Sequence, residues 1–414
     1  MKFSTRLLVL FCAASCLAAQ GPKHKSLRAY AMGNAHVAIV DDKEALYYNY
    51  AGLNQMNKLG NYEKHPEVGY YPHNAVDMRI NLGLAGPLNE ARRIYNLIDD
   101  LQDLYDATEK DAENNDVSME KAFADSLAAN PKLVKRINRY DHMLLSLILK
   151  ADAEIAFHNF GASLWVDGNS APYVDGGIVL PFLGIDTFYI DAVAQVGGAF
   201  GITDNLAVGA GLKIANRQRI DMVRVDVSNF NSIEDTLEDR FSEALKISEF
   251  DDFGIGMDFG VLYQATREMR IGASCNNVFF NELAGERILP NLTVGMAYSP
   301  RYLNRNSAFS RKVNFAVDYE NALFKSRNYK TLSHLNFGME LEQVLLAFPG
   351  YNNNLRLLKV RLSGGFHGGY PSAGIALEAL RFIEVEFATW GEELGYYTGQ
   401  EESRVYMLQA SLGF

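Results

Sequence analysis

Phe253-Gly-Ile-Gly-Met-Asp-Phe-Gly-Val-Leu-Tyr-Gln264 alternates without a break. Phe253, Ile255, Met257, Phe259, Val261 and Tyr263 fall on one face of an extended chain. Gly254, Gly256, Asp258, Gly260, Leu262 and Gln264 fall on the other. Successive strand side chains point to opposite faces, so this stretch has a greasy face and a small or polar one. Leu206–Ala215 repeats the pattern, with Leu206, Val208, Ala210, Leu212 and Ile214 set against Ala207, Gly209, Gly211, Lys213 and Ala215. So do Val313–Glu320, Leu335–Glu342 and the stretch from Asp77 to Leu84.

A soluble sandwich alternates too, so period alone leaves two architectures open. Length separates them. The segments run about 10–14 residues, where soluble strands average about 5–6 and a tilted membrane strand needs roughly 9–11. Large apolar residues opposite Gly, Ala, Asn and acids suit lipid outside and a wet lumen inside. The fold class expected is all-β: a transmembrane antiparallel β-barrel of about fourteen strands, in the bacterial outer membrane with lipid as its solvent.

The strands are placed near 77–86, 152–166, 173–181, 187–202, 206–228, 252–264, 268–280, 287–298, 310–320, 333–343, 355–366, 371–380, 382–390 and 403–414. An even count puts both ends of the barrel chain on one side. If that side is the periplasm, Thr203-Asp204-Asn205 and Ala265–Arg267 are short periplasmic turns. Residues 300–309 and 344–354 then make unusually long links there.

Composition excludes other classes. The 414 residues are 48% hydrophobic and carry net charge −11, against both a disordered chain and a cationic nucleic-acid binder. Lys2 and Arg6 precede an apolar stretch, Leu7–Leu17, and small residues Ala18 and Ala19. This reads as a signal peptide over 1–19; lipidation at Cys16 is a weaker reading, since Ala13 stands where such signals want a Leu-like residue. Without that segment only Cys275 is left, so no intrachain disulfide forms.

Two inserts break the strand pattern. Near 88–139, Ile94, Leu97, Ile98, Leu101, Leu104 and Tyr105 make a helical stripe, and Pro131 opens a further helix. Near 232–247 a second helix is expected. Each region is rich in acids: residues 99–116 hold eight with one Lys, and residues 234–252 hold eight against Arg240 and Lys246. They read as solvated faces, or as a calcium-dependent or partner-facing cap, although no EF-hand spacing is present. By parity both emerge outside the cell.

Arg404–Phe414 alternates as well, with Tyr406, Leu408, Ala410, Leu412 and Phe414 on one face. It resembles the C-terminal assembly signal of bacterial outer-membrane barrels, which implies recognition of Tyr406, Leu408, Leu412 and Phe414 by the barrel-insertion machinery.

The second resemblance lies near the start. Ser26-Leu27-Arg28-Ala29-Tyr30-Ala31-Met32-Gly33-Asn34 runs on through Val40-Asp41-Asp42 to Tyr47-Tyr48-Asn49-Tyr50-Ala51-Gly52-Leu53. This resembles the FadL/PorV-like outer-membrane proteins, with their Arg-Ala-x-x-Met-Gly run, Ala-Asp-Asp, and an aromatic residue before Asn-Pro-Ala-Gly-Leu. Val40 and Tyr50 depart from it, and the missing Pro questions the rigidity of that turn. The resemblance covers about thirty residues.

It implies that residues 20–76 form a hatch inside a barrel of residues 77–414, with Arg28, Gly33, Asp42, Asn49, Ala51 and Gly52 as hatch residues. FadL-like members pass hydrophobic or amphipathic small molecules; PorV-like members serve protein secretion. A purely structural envelope barrel is a third reading, as is a hatch that seals without gating. The ligand or secretion partner is not legible.

No Gly-x-Ser-x-Gly, His-Glu-x-x-His, phosphate loop or paired Cys is present, and the eight His lack metal-ligand spacing. No enzyme activity, cofactor, metal site or nucleic-acid partner is expected.

Overall fold

The computed structural model describes residues 21–56, 76–115, 117–140, 143–144, 147–175, 182–225, 253–280, 282–304, 309–323, 331–348, 355–393 and 402–413. The segment read as a signal peptide, the second helical insert and Phe414 lie outside them.

Fourteen strands close into an antiparallel barrel. They are β1 (Val76–Gly86), β2 (Leu147–Phe157), β3 (Phe160–Asp175), β4 (Phe182–Thr203), β5 (Leu206–Val225), β6 (Phe253–Gln264), β7 (Met269–Val278), β8 (Asn291–Tyr298), β9 (Arg311–Tyr319), β10 (Leu335–Phe348), β11 (Leu355–His367), β12 (Tyr370–Ala379), β13 (Ile383–Glu393) and β14 (Glu402–Gly413). Each pairs with its neighbours in sequence, and β1 meets β14 from Arg79↔Gly413 to Gly86↔Tyr406. Closure removes the unpaired edges that an open sheet would present.

The outer face carries the apolar series read from the sequence. Ile80, Leu82 and Leu84 on β1 are 58, 63 and 66% exposed, and Leu408 and Leu412 on β14 are 57 and 63%. Their strand neighbours Asn81, Gln409 and Ser411 are buried inside. A water-soluble protein would not leave a whole ring of aliphatic and aromatic side chains open; lipid is the solvent that suits them. Among the described residues no helix is long and apolar enough to cross a membrane.

The strand count agrees with the sequence reading, but two placements do not. Residues expected as one strand over 152–166 form the hairpin of β2 and β3, with Phe157 paired to Phe160. The turn is only His158-Asn159, with Asn159 at φ 69. Neither Gly nor Pro marks it, so only the side-chain amide's tolerance of left-handed backbone permits the reversal. The strand expected over 173–181 is consequently the far end of β3. Of the links expected to be long, the first lies between Tyr298 and Arg311; the second, expected over 344–354, begins as part of β10, and 349–354 lie outside the described residues.

Wall height is uneven. β4 and β5 run 22 and 20 residues, while β8 and β9 have 8 and 9. At the end opposite the chain termini, β1 leads into three helices: α3 (Leu88–Asn115), α4 (Met119–Ala128) and α5 (Pro131–Tyr140), numbered after two short helices near the start of the chain. They share a small core of Leu97, Tyr105, Phe123, Leu127, Leu133 and Ile137.

Candidate functional site

Residues 21–56 lie inside the barrel. They contain α1 (Leu27–Ala31), α2 (Ala45–Tyr48) and a 3-10 helix, Tyr50–Gln55. Helices of four to six residues do not persist alone, so the lumen wall holds these in place. Ser26 caps α1 by accepting from Ala29 N at 3.3 Å. Leu27, Tyr30 and Ala31 then pack on Trp390, Val405 and Met407 of β13 and β14.

Gly33 follows at φ +65, against the carbonyls of Phe337 and Phe366. A side chain at that position meets both a left-handed backbone and two main-chain oxygens, so only glycine fits.

Charge fixes the segment to the wall. Arg28 forks onto Glu340, Nε to Oε2 at 2.6 Å and Nη2 to Oε1 at 2.7 Å, and its Nη1 reaches Asp42 at 2.5 Å. Asp41 accepts from Lys312 at 2.8 Å, and Lys43 lies 2.6 Å from Glu154. Asp318 takes the consecutive backbone amides of His36 and Val37 at 2.6 and 2.8 Å. Gln195 donates to the Leu46 carbonyl at 3.0 Å. Such planar, multidentate pairing suits Arg where a Lys would leave partners unmet.

Asn49 closes the second turn. Its Oδ1 accepts from Ala51 N at 3.1 Å, and its amide donates to Val37 O and Val261 O, both at 3.0 Å. Gly52 N donates to Asn49 O at 2.9 Å, and Gly52 packs against the Val40 carbonyl, where a Cβ would stand 2.7 Å away. Tyr50, where the family pattern has Pro, replaces ring rigidity with packing. Its ring fills the space over Gly197 and Gly211 of β4 and β5, and its backbone lies against Gly209.

Arg28, Gly33, Asp42, Asn49, Ala51 and Gly52, the residues expected in a hatch, all belong to the segment inside the lumen, and Arg28 touches Asp42 directly. Sequence reading did not single out Glu340, Asp318, Lys312 or Glu154, and it named Tyr50 only as a departure from the family pattern. The four wall residues show in the sequence as polar residues on inward positions, but nothing there pairs them with the hatch.

Below the segment, at the end carrying the chain termini, a cavity of about 110 Å³ lies among Arg28, Asp42, Lys43, Arg79, Arg361 and Glu384. It has room for roughly three or four waters.

His36 is fully buried, its ring edge against Tyr48 with centroids 5.1 Å apart, and neither ring nitrogen has a hydrogen-bond partner. Burial, then the nearby Arg28 cation, holds its pKa below the ordinary 6.5. His24 is depressed likewise by burial and by Lys150, despite Asp152 at 3.1 Å; Lys150 already neutralises that carboxylate at 3.0 Å. Both imidazoles are therefore neutral when seated.

A displaced segment takes up protons on these two rings below pH about 6.5 and a seated one does not, so their contribution to seating is fully present above that pH and is lost as pH falls. Limited proteolysis at Lys23, Lys25 and Lys43 accordingly speeds up between pH 7.5 and 5. His24→Gln with His36→Phe flattens that profile.

No protein-family model matches the chain, and no curated protein sequence does. Solved structures do. The Pseudomonas putida toluene transporter TodX is 11% identical, with 96% of this chain and 98% of that one covered, at a TM-score of 0.43. The Ralstonia pickettii toluene transporter TbuX is 11% identical over 94 and 97%, at 0.42. The monoaromatic hydrocarbon channel CymD is 11% identical over 95 and 98%, at 0.39. All three are transporters or channels.

Proposed function

We propose that this protein is an outer-membrane channel, closed by its own N-terminal segment, that passively admits hydrophobic or amphipathic small molecules. The observation that carries this reading is the chemistry of the seal. Beside the segment's buried apolar contacts, ion pairs and backbone hydrogen bonds seat it on a glycine-lined wall. Each hydrogen bond nets only about 0.5–1.5 kcal/mol against water, so a shifting segment can exchange its partners for solvent. Above it the lumen holds an apolar patch of Trp165, Val193, Ala215, Phe280, Leu283 and Ile288, bordered by the ion pairs Lys213–Asp258 and Arg217–Asp191. A solute site of this kind needs an apolar lining and a few polar groups, and no nucleophile.

The test compares cells with and without the chain for uptake of a fluorescent fatty-acid analogue and of a sugar. The intact chain is expected to speed the analogue and not the sugar, and deletion of Ala29–Leu53 to let the sugar leak. Unchanged analogue uptake would refute the reading.

A second reading, a PorV-like adaptor in protein secretion, draws on the helical cap. Asp99, Asp100, Asp103 and Asp106 lie exposed on α3, and Lys132, Lys135 and Arg139 on α5, a charge-segregated surface fit for a protein partner. Capture of one secreted protein through residues 88–140, without solute flux, would favour it.

A further inference from the structure

The helical cap carries two charged stripes of opposite sign, both turned away from its own core. On α3, Leu97 and Tyr105 pack inward with Phe123 and Leu127 of α4 and with Leu133 and Ile137 of α5. Asp99, Asp103 and Asp106 lie exposed on the opposite side of α3, and their spacing of four and three residues sets them in one line along the helix. On α5, Lys132, Lys135 and Arg139 are exposed, spaced by three and four, and lie away from Leu133 and Ile137. Neither stripe is diluted: α3 has no Lys or Arg from Ile94 to Glu109, and α5 has no acid.

The two stripes match when one is run backwards. At about 1.5 Å of rise per residue, Asp99, Asp103 and Asp106 stand at about 0, 6 and 10.5 Å, and so do Arg139, Lys135 and Lys132 taken in that order. Their own chain uses only the flanks, where Arg136 pairs with Asp100. Among the described residues, none of the six stripe side chains pairs with another charge of its own chain.

We infer that the cap is a contact between two copies of this chain, related by a two-fold axis along the membrane normal, with the α3 stripe of each copy against the α5 stripe of the other. The path of the chain supports that axis. α3 begins two residues after β1 ends, and Met143 and Leu144, just beyond α5, pair with Val174 and Tyr173 at the far end of β3. α3 therefore leaves the rim and α5 returns to it, in opposite senses.

Two barrels in one membrane point the same way, so a two-fold between them lies along the normal and keeps every residue at its own height. Each level of α3 then meets the same level of α5 in the other copy, and the Arg136–Asp100 pair marks that level. Pairing Asp99 with Arg139, Asp103 with Lys135 and Asp106 with Lys132 departs from it by two residues, about 3 Å, within reach of long basic stems. Symmetry makes every pairing twice. A secreted partner would need no such match between the stripes, and the contact depends on neither the channel reading nor the hatch. Exposed ion pairs are individually weak and salt-screened, so the contact loosens as the screening length falls from about 10 Å at 0.1 M to about 3 Å at 1 M salt.

The experiment co-expresses two differently tagged full-length copies, captures one tag from outer membranes in mild detergent at low salt, and reads how much of the other accompanies it. The parent copies are expected to co-purify, and to do so about tenfold less in about 1 M salt. Reversing α5 (Lys132→Glu, Lys135→Glu, Arg139→Glu) or α3 (Asp99→Lys, Asp103→Lys, Asp106→Lys) in both copies should cut co-purification by about tenfold or more. One α5-reversed copy with one α3-reversed copy should restore it, since every pairing is again acid to base; this arm also shows that both variants fold. Parent copies that do not co-purify, or a mixture that fails to restore, would overturn the contact. Loss on α5 reversal with α3 reversal silent would overturn it as well, and would point to an anionic partner. Register is read in a Cys275→Ser background: Asp103→Cys in one copy and Lys135→Cys in the other should give a disulfide-linked dimer on oxidation. Asp103→Cys in both copies linking equally well would overturn the two-fold arrangement.

Discussion

Arg28→Met unseats the N-terminal segment. The guanidinium is 5% exposed and serves Glu340, whose side chain is fully buried, together with Asp42 and Glu342. Removing one member of a buried ion network costs about 3–5 kcal/mol, because the remaining charges stay desolvated and unpaired. That corresponds to a shift of about 10²–10⁴ in the seated-to-displaced ratio. The expected signature is sugar leak in a swelling assay and rapid cleavage after Lys23 and Lys25, with the barrel itself still migrating as a folded species. Arg28→Lys recovers only part of the seal, since one ammonium cannot replace a fork that reaches Glu340 and Asp42 together. Adding Glu340→Gln to Arg28→Met removes the stranded carboxylate and restores much of the seating. A double variant as leaky as the single one would show that Glu340 is not the partner that matters.

The same cluster marks the limit of what the sequence discloses. Alternation places Glu340 on the face shared with Asn336 and Gly338, away from lipid, because a period of two is local and survives any change of partner. The strand count and the outward residues of most strands were readable for the same reason. Which hatch residue Glu340 meets was not: Arg28 is 312 positions away, and only closure of the barrel brings the two together. The resemblance to FadL/PorV-like proteins named Arg28 and Asp42 without naming the wall.

Glycine shows the same limit in another form. Gly209, Gly211, Gly254, Gly256 and Gly260 were legible as a small lumen face, yet what that space accommodates is set by the third dimension: Tyr50 over the first two, Phe280 over the next two, Asn49 beside the last. Tyr50 itself reads as a departure from the family pattern, and its packing becomes apparent only once β4 and β5 stand behind it. The His158-Asn159 turn was missed for a local reason instead, since a two-residue hairpin without Gly leaves little trace in composition.

These glycines differ in what they face, and that difference predicts which substitutions can be rescued. A methyl at Gly211 would overlap the Tyr50 ring, a side chain that can turn aside or be shortened. A side chain at Gly338 would overlap the main-chain carbonyl of Met32, and Gly338 pairs directly with Gly365, which abuts the same stretch of backbone from the next strand. Neither wall strand can retreat, because both are hydrogen-bonded on either side, and no substitution at Met32 removes its carbonyl. Overpacking costs typically 1–3 kcal/mol where side chains can adjust and more where they cannot. Gly211→Ala should therefore loosen the hatch by about 1–3 kcal/mol and be repaired by Tyr50→Leu. Gly338→Val should eject it by at least about 3 kcal/mol and be repaired by nothing at position 32. Sugar leak and the cleavage rate at Lys25 read both pairs. If Met32→Ala rescues Gly338→Val, the hatch adjusts at its side chains and the main-chain fit argued here is wrong.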